Sequence, residues 1–287
     1  MYYLKSILLT LLFLQLFTSN ALSKQDNTKI DDLTIIISSY DEYSELWSPF
    51  FKQLFQNWES LNTYNSHVQI ILVSNTKQYP NKRVISALSD VDKGWSGNMR
   101  EVLSQVKTKY VLYLQEDYFI YHQINEERIK EITHAMKAHD IAYTELYIEQ
   151  SAAKLPPNPK LENSVVKPKE AEYRNSLQAS IWEKKVFDWL LYKDENPWQF
   201  ETIGNERSKG VMKEFWSLSS NPPIQYINVV DKGFVNSSSL ALLKQYNIEY
   251  TPSLLPISSD HKFMYYLATQ KPKKYKQIKN LQQKFSF

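Results

Sequence analysis

Short apolar runs recur along the chain, and most of them stop abruptly at polar residues. Leu33–Ser39 (LTIIISS), His67–Ser74 (HVQIILVS) and Tyr110–Leu114 (YVLYL) are rich in β-branched, aromatic and leucine residues. Such runs suit strands buried on both faces of a mainly parallel sheet. Val84–Leu88, Ile141–Ile148 and Ile224–Val230 read as further strands. Between them the apolar spacing changes to a helical one. Phe50, Phe51, Leu54, Phe55 and Trp58 form one stripe, with Ser48 as the expected cap and Pro49 in the first helical position. Met99, Leu103 and Val106 form a second. Ile129, Ile132 and Met136 form a third, behind an Asn125 cap and a first turn carrying Glu126 and Glu127. Asn196-Pro197 signals another helix start, and Ser239–Tyr246 reads as a helix. Strands alternating with helices long enough for crossovers predict an α/β fold, a mostly parallel central sheet flanked by helices.

The polar ends of the strands carry the candidate chemistry. Tyr110–Leu114 runs into Glu116 and Asp117, with aromatics following at once. Ionised carboxylates beside a buried strand are costly unless paired, hydrogen-bonded or placed on a metal. The position just past a strand's C-terminal end is also where open α/β sheets place a ligand crevice. The acids either serve such a crevice or cap the next turn. Asp41 follows the first strand, and Ser74-Asn75 ends the second. Trp198 and Glu201 stand three apart on one helix, hence on one face: either a sugar-stacking floor beside a general base, or an aromatic anchor beside a solvated acid. Ser151–Lys169, with Pro156, Pro157, Pro159 and Pro168, reads as a mobile surface loop, a lid or an insertion without function. Gly94–Arg100 (GWSGNMR) opens a helix. It lacks the second glycine of a nucleophile elbow and the spacings of a P-loop or a dinucleotide fingerprint.

Composition narrows the picture. Apolar content of 43% and charged content of 23% are those of a globular protein with a proper core. The absence of cysteine excludes disulfides, zinc–thiolate sites and a cysteine nucleophile. The histidines (His67, His122, His134, His139, His261) lack metal-ligand spacing, and no basic stripe interleaved with aromatics suggests nucleic acid as a partner. Residues 1–24 read as a signal peptide or membrane anchor: Lys5, the apolar run Ile7–Phe17 and a small-residue site at Ser19-Asn20-Ala21. That run is shorter than the roughly 20 residues of a comfortable span, which favours the signal peptide. Residues 25–260 form the expected single domain, with residues 33–122 as one half and 123–260 as the other. Residues 261–287 form a basic tail, either solvated or lying on an anionic membrane surface. Asn236-Ser237-Ser238 fits the N-glycosylation pattern.

Three blocks together resemble GT-A-type glycosyltransferases, in the neighbourhood of family 2: Thr34–Asp41 (TIIISSYD); Trp95–Arg100 leading through a helix to Tyr110–Asp117 (YVLYLQED); and Ser176–Trp182 (SLQASIW) followed by Asn196–Glu201 (NPWQFE). They span about Leu33 to Gly233. The resemblance implies a Rossmann-like nucleotide-binding half, an acceptor-side half and a nucleotide-diphospho-sugar donor. It implies that Ser39, Asp41 and Asn75 contact the nucleoside, with Arg100 either assisting at the diphosphate or lying on the helix surface. Asp117, helped by Glu116, would hold Mn²⁺ or Mg²⁺, and Glu201 would be the general base of an inverting transfer. Trp198 and Gln178 would hold a glycan or glycolipid acceptor. The chain departs from the family pattern in reading Gln115-Glu116-Asp117 in place of D-x-D, and in ending its second strand in Ser74-Asn75 where many relatives place an aspartate. Two other readings remain open: a non-catalytic GT-A-like domain that binds a glycan or a partner, and a nucleotidyltransferase. The latter lacks its glycine- and lysine-rich loop after Ile37. A leader that exports the chain would separate it from cytoplasmic nucleotide-sugars. The resemblance is therefore compatible with an anchor, with a lumen supplied with donors, or with a lipid-linked donor.

Overall fold

The structure, a computed structural model, describes residues 32–62, 67–89, 92–148, 154–259 and 262–274. The leader expected over residues 1–24 and most of the basic tail lie outside the described residues, and no described helix is long and apolar enough to cross a membrane. The expected α/β architecture is present. Eight strands form one sheet in the order β3-β2-β1-β4-β8-β6-β9-β7: β1 Leu33–Ser38, β2 Gln69–Ser74, β3 Val84–Leu88, β4 Tyr110–Gln115, β6 Tyr143–Ile148, β7 Ser164–Val166, β8 Ser180–Glu183 and β9 Phe215–Leu218. The block β3-β2-β1-β4 is entirely parallel. β8 then enters antiparallel between β4 and β6, β6 and β9 are parallel, and β7 closes the edge antiparallel.

Sequence explains the contrast. All six residues of β1 are buried, as are the first five of β4 (YVLYL), so both faces must be covered, and helices do that. The helices are α1 Ser44–Asn57, α2 Gly94–Gln105, α3 Glu126–His139, α4 Lys184–Leu190, α5 Pro197–Ser208, α6 Ser237–Gln245 and α7 Lys262–Gln270. α1 begins at Ser44, earlier than Ser48-Pro49 predicts, because a short 3₁₀ turn over Asp41–Tyr43 already leads into it. Pro49 therefore lies inside the helix and removes one backbone donor. Burial of Leu46, Trp47, Phe50, Phe51, Leu54 and Phe55 along the same helix outweighs that loss. Asn125 caps α3 as expected, its side chain accepting from the Arg128 N–H. Asn196 and Gln199 form a reciprocal capping box at α5, with Pro197 in its first turn. α6 starts at Ser237 and is capped by Asn236, which accepts from the Ser238 N–H and hydroxyl. The side chain of the N-glycosylation pattern thus serves as a helix cap.

Residues 154–169 are exposed over much of their length, as their prolines suggest, but they are anchored to the sheet. Ser164–Val166 pairs with β9, Pro157 bridges to Val165, and Leu161 is buried. Lys167 reaches inward to Glu145 at 3.0 Å in an ion pair that is only 4% and 2% exposed. The prolines are confined to the approach and the exit; the residues between them hold the sheet edge. Ile224–Val230 divides into β10 Tyr226–Asn228 and β11 Val230–Asp231. β10 pairs antiparallel with β5 (Tyr118–Ile120), while β11 makes a small hairpin with β12 (Phe234–Val235).

An aromatic cluster sits between the sheet and helices α4 and α5. Trp182 stacks on Phe187 (4.7 Å between centroids), and Phe200 packs edge-on against Trp95, Trp182 and Phe187. Phe200 is fully buried and adjoins Glu201, so this packing sets where the carboxylate points. Truncating such a ring to alanine typically costs about 3–5 kcal/mol.

Candidate active site

The C-terminal ends of β1, β2 and β4 open onto one cleft of about 420 Å³, closed on its far side by α5 and the β11–β12 hairpin. Such a place is where parallel α/β sheets bind ligands. At its floor β4 breaks off at Gln115. The chain passes Glu116 and Asp117 and resumes as β5, so both acids lie between two strands. They are 6% and 7% exposed. The Asp117 carbonyl accepts from the Val229 N–H at 3.0 Å, and its Oδ2 accepts from the Val230 N–H at 3.4 Å. Its Oδ1 is buried and has no hydrogen-bond partner.

No cation among the described residues compensates this pair. Burial pushes the Asp117 carboxyl up to about 7, against the pull of the Val230 N–H and with a further push from Asp231. Burial and the neighbouring Asp117 together raise Glu116 well above the usual carboxylate range, with Ser39 pulling weakly the other way. Two buried, adjacent carboxylates with an unsatisfied oxygen are a costly arrangement in the free protein. The donor set fits a hard, oxygen-seeking divalent cation. No cluster of three or more His, Cys, Asp or Glu side chains suited to a metal occurs among the described residues, so further ligands would come from a bound molecule and water.

Glu201 lines the same cleft from α5. It is half-buried on α5, and its Oε1 accepts from the Leu177 N–H at 2.7 Å. Burial raises its carboxyl above the ordinary glutamate value; the Leu177 N–H opposes that and Glu145 adds to it. Trp198, one turn earlier, is 59% exposed on the cleft rim. Gln178 also lines the cleft and accepts from the Tyr226 hydroxyl. The structure therefore brings together Ser39, Asn75, Glu116, Asp117, Gln178, Trp198 and Glu201 around one space.

Two residues are placed elsewhere. Arg100 points away, its guanidinium paired with Asp188 at 3.3 Å and donating to the carbonyls of Asp188 and Leu191. It lies on the outer face of α2, which ties that helix to α4, and is a structural link and not a diphosphate ligand. Asp41 does not line the cleft either. Its carboxylate accepts from the backbone N–H groups of Asn75, Thr76 and Lys77 and from the Thr76 hydroxyl at 2.6 Å. Slight burial raises its carboxyl, but these donors outweigh it and hold it below the usual range. Asp41 thus clamps the loop after β2 and presents Asn75, whose Oδ1 accepts from the Asp41 N–H at 3.3 Å. It positions a lining residue and leaves no lone pair for a nucleoside.

Several lining residues were not singled out from sequence. Tyr40 and Tyr43 pack edge-to-face at 4.6 Å beside Ser39 and offer an aromatic wall. Burial, followed by Glu42, raises the Tyr40 phenol to about 12, so it stays protonated. Asp92 accepts from the Gly94 N–H and the Asn98 amide and shapes the start of α2. Lys232, exposed at the tip of the β11–β12 hairpin, brings a positive charge to the cleft. Its φ of 51° and that of Gly233 at 82° form the tight turn. Asp231 beside it accepts from the Tyr265 hydroxyl at 2.8 Å. The lysine–glycine turn signal was visible after the Ile224–Val230 run. Its return to the first strands was not.

No protein-family model matches the chain, and no curated protein matches its sequence. Solved structures do. The chain is similar to residues 1–349 of S. aureus TarS in complex with UDP, with a TM-score of 0.50 and 11% identity over 84% of this chain and 73% of that one. A second structure of TarS 1–349 gives a TM-score of 0.48 at the same identity and coverage. A CMP:2-keto-3-deoxy-manno-octonic acid synthetase complexed with CTP gives 0.42 at 11% identity, over 75% of this chain and 97% of that one. The chain has a nucleotide-diphospho-sugar transferase-like fold of the GT-A type.

Proposed function

We propose that this protein is a divalent-metal-dependent glycosyltransferase that moves a sugar from a nucleotide-diphospho-sugar to a hydroxyl of a glycan or glycolipid acceptor. The observation that carries the reading is the buried Glu116–Asp117 pair, with an Asp117 oxygen that lacks a partner, in the same cleft as Glu201. The similar structure of TarS 1–349 is in complex with UDP, which supports a nucleotide as part of the donor. The nucleoside would rest against Tyr40, Tyr43, Ser39 and Asn75. Asp117 and Glu116 would hold Mn²⁺ or Mg²⁺, and Lys232 would meet the diphosphate from the hairpin. A bound divalent ion neutralises the charge that grows on a departing diphosphate.

Glu201 is the residue for the proton. The acceptor oxygen forms its bond to the anomeric carbon as the bond to the diphosphate oxygen breaks and its electron pair leaves with the diphosphate. The hydroxyl proton passes to the Glu201 carboxylate. Attack from the α5 side, opposite the diphosphate, inverts the anomeric configuration. General-base help of this kind is worth about 10²–10⁴-fold in rate. Burial, which raises the Glu201 carboxyl above the ordinary glutamate value, makes its carboxylate a stronger base. Trp198 gives the acceptor sugar an apolar platform.

The test is thermal unfolding of the full chain against a panel of nucleoside diphosphates and nucleotide-sugars, with and without Mn²⁺. At least one nucleotide should raise the melting temperature only when the metal is present, by the equivalent of about 2.7 kcal/mol at a hundred times its dissociation constant. A panel without any metal-dependent shift, or a shift that survives intact in Asp117→Asn, refutes the metal role.

A further inference from the structure

A second hollow of about 430 Å³ opens beyond Glu201, on the side away from the carboxylate pair. Glu201, Gln178 and Asn228 line both spaces, so the two adjoin. Its size falls within the range of about 300–1,000 Å³ that small-molecule sites occupy. Three tyrosines dominate its wall. Tyr147, on β6, and Tyr173, in the turn before β8, are 47% and 50% exposed. Tyr226 stacks on Tyr118 at 4.3 Å on one side and faces Tyr147 at 6.3 Å.

The backbone is bent to keep one of these rings outside. Tyr173 has a φ of 50°, a left-handed conformation that bulky side chains rarely adopt. Its carbonyl is held by the Lys167 ammonium at 2.6 Å, the same group that pairs with the buried Glu145. Glu145 itself lines the hollow. An internal ion pair that is expensive to bury therefore fixes the conformation that leaves an aromatic ring facing solvent. Aromatic faces combined with an amide, a carboxylate and hydroxyls are the chemistry that holds a sugar ring, apolar C–H face against the ring and hydroxyls on the polar rim.

We propose that this tyrosine-lined hollow is a subsite for the second sugar of the acceptor, so that the preferred acceptor is an oligosaccharide of two or more units. The inference rests on the transferase reading for its word acceptor. The attacked unit sits between Trp198 and Glu201, and the next unit lies on Tyr147 and Tyr173, with Gln178 and Asn228 at the junction. Glu201 stands where the two units meet.

The experiment is binding of the labelled full chain to an array of defined mono-, di- and trisaccharides. Retained glycans should carry at least two units and exceed their own monosaccharides by about tenfold or more. Tyr147→Ala and Tyr173→Ala should each abolish that advantage, whereas Tyr147→Phe, which keeps the ring, should preserve most of it. Both tyrosines are half exposed, so unchanged melting temperatures will verify folding. Retention of no glycan, equal retention of mono- and disaccharides, or full retention by the alanine variants overturns the subsite. Metal-dependent nucleotide binding, read separately, tells the two ideas apart. With nucleotide binding intact and no glycan preference, the subsite falls alone. With tyrosine-dependent glycan binding and no nucleotide response, the hollow stands and the transfer chemistry falls.

Discussion

The end of β1 and the end of β4 each deliver an aspartate to the same edge of the sheet, and the two are treated in opposite ways. Asp41 is partly exposed and saturated with donors from the loop after β2. Asp117 is buried, receives one long backbone bond and keeps an oxygen without a partner. The first has its carboxyl held down, the second has it pushed up. An acid whose bonds are complete is finished structure, whereas one whose bonds are incomplete keeps a free acceptor. The sequence context of both, an acid just past a buried strand, is the same.

The sharpest way to break this comparison is Asp117→Asn. Turnover should fall by about 10³-fold, since an amide neutralises no charge at the diphosphate, and a coupled assay with the responsive nucleotide-sugar measures it. The free protein should become more stable at the same time. A carboxyl raised in the folded state favours folding only while protonated, so wild-type stability should decline as pH rises from about 4 through about 7. The asparagine variant should show a smaller decline, the part left by the buried Glu116, and gain on the order of 2 kcal/mol at pH 8 in chemical denaturation. A variant that loses both activity and stability would make Asp117 a second Asp41.

Glu201 falls between the two acids, half-buried with one strong donor, and Glu201→Gln should lower kcat by about 10²-fold. Because its carboxyl is raised and the ionised form is the base, wild-type kcat/KM should climb with pH through a value above that of ordinary glutamate. That limb should vanish in the glutamine variant. Asp41→Ala is the reverse experiment. It should cost about 1–2 kcal/mol of stability above pH 4, through the loop donors left unpaired, and change nucleotide affinity only a few-fold. Below pH 4 the difference should shrink, because a lowered carboxyl loses its contribution on protonation. Arg100→Ala should do least. Its pair with Asp188 is half exposed on both sides, so a loss under about 1 kcal/mol and less than twofold in turnover is expected.

Much of this was legible in the chain. The buried runs Leu33–Ser38 and Tyr110–Leu114 announce central parallel strands, and the capping residues Asn125 and Asn196 mark their helices to the residue. Glu116, Asp117, Trp198 and Glu201 share a cleft because strand ends and helix starts gather on one edge. What stayed hidden depends on contacts distant in sequence. Arg100 looks like an anion ligand until Asp188 and Leu191 are seen to occupy it. Lys167 looks like loop surface until Glu145 is found beneath it. Tyr147, Tyr173 and Tyr226 follow no common local period, and only the sheet order assembles them. No one-dimensional pattern distinguishes an acid that is satisfied from one that is not.

The ribbon of β5 and β10 has a consequence for any attempt to redesign this protein. Tyr118 follows Asp117 directly and pairs with Asn228, two residues before Val230. Tyr226, on the same strand as Asn228, walls the tyrosine hollow. Sliding that ribbon by one residue would turn Tyr226 to the opposite face and carry the Val230 amide away from Asp117 together. The Asp117 contact and the tyrosine hollow therefore cannot drift independently. A new specificity at either place must be written in side chains, with this register left untouched.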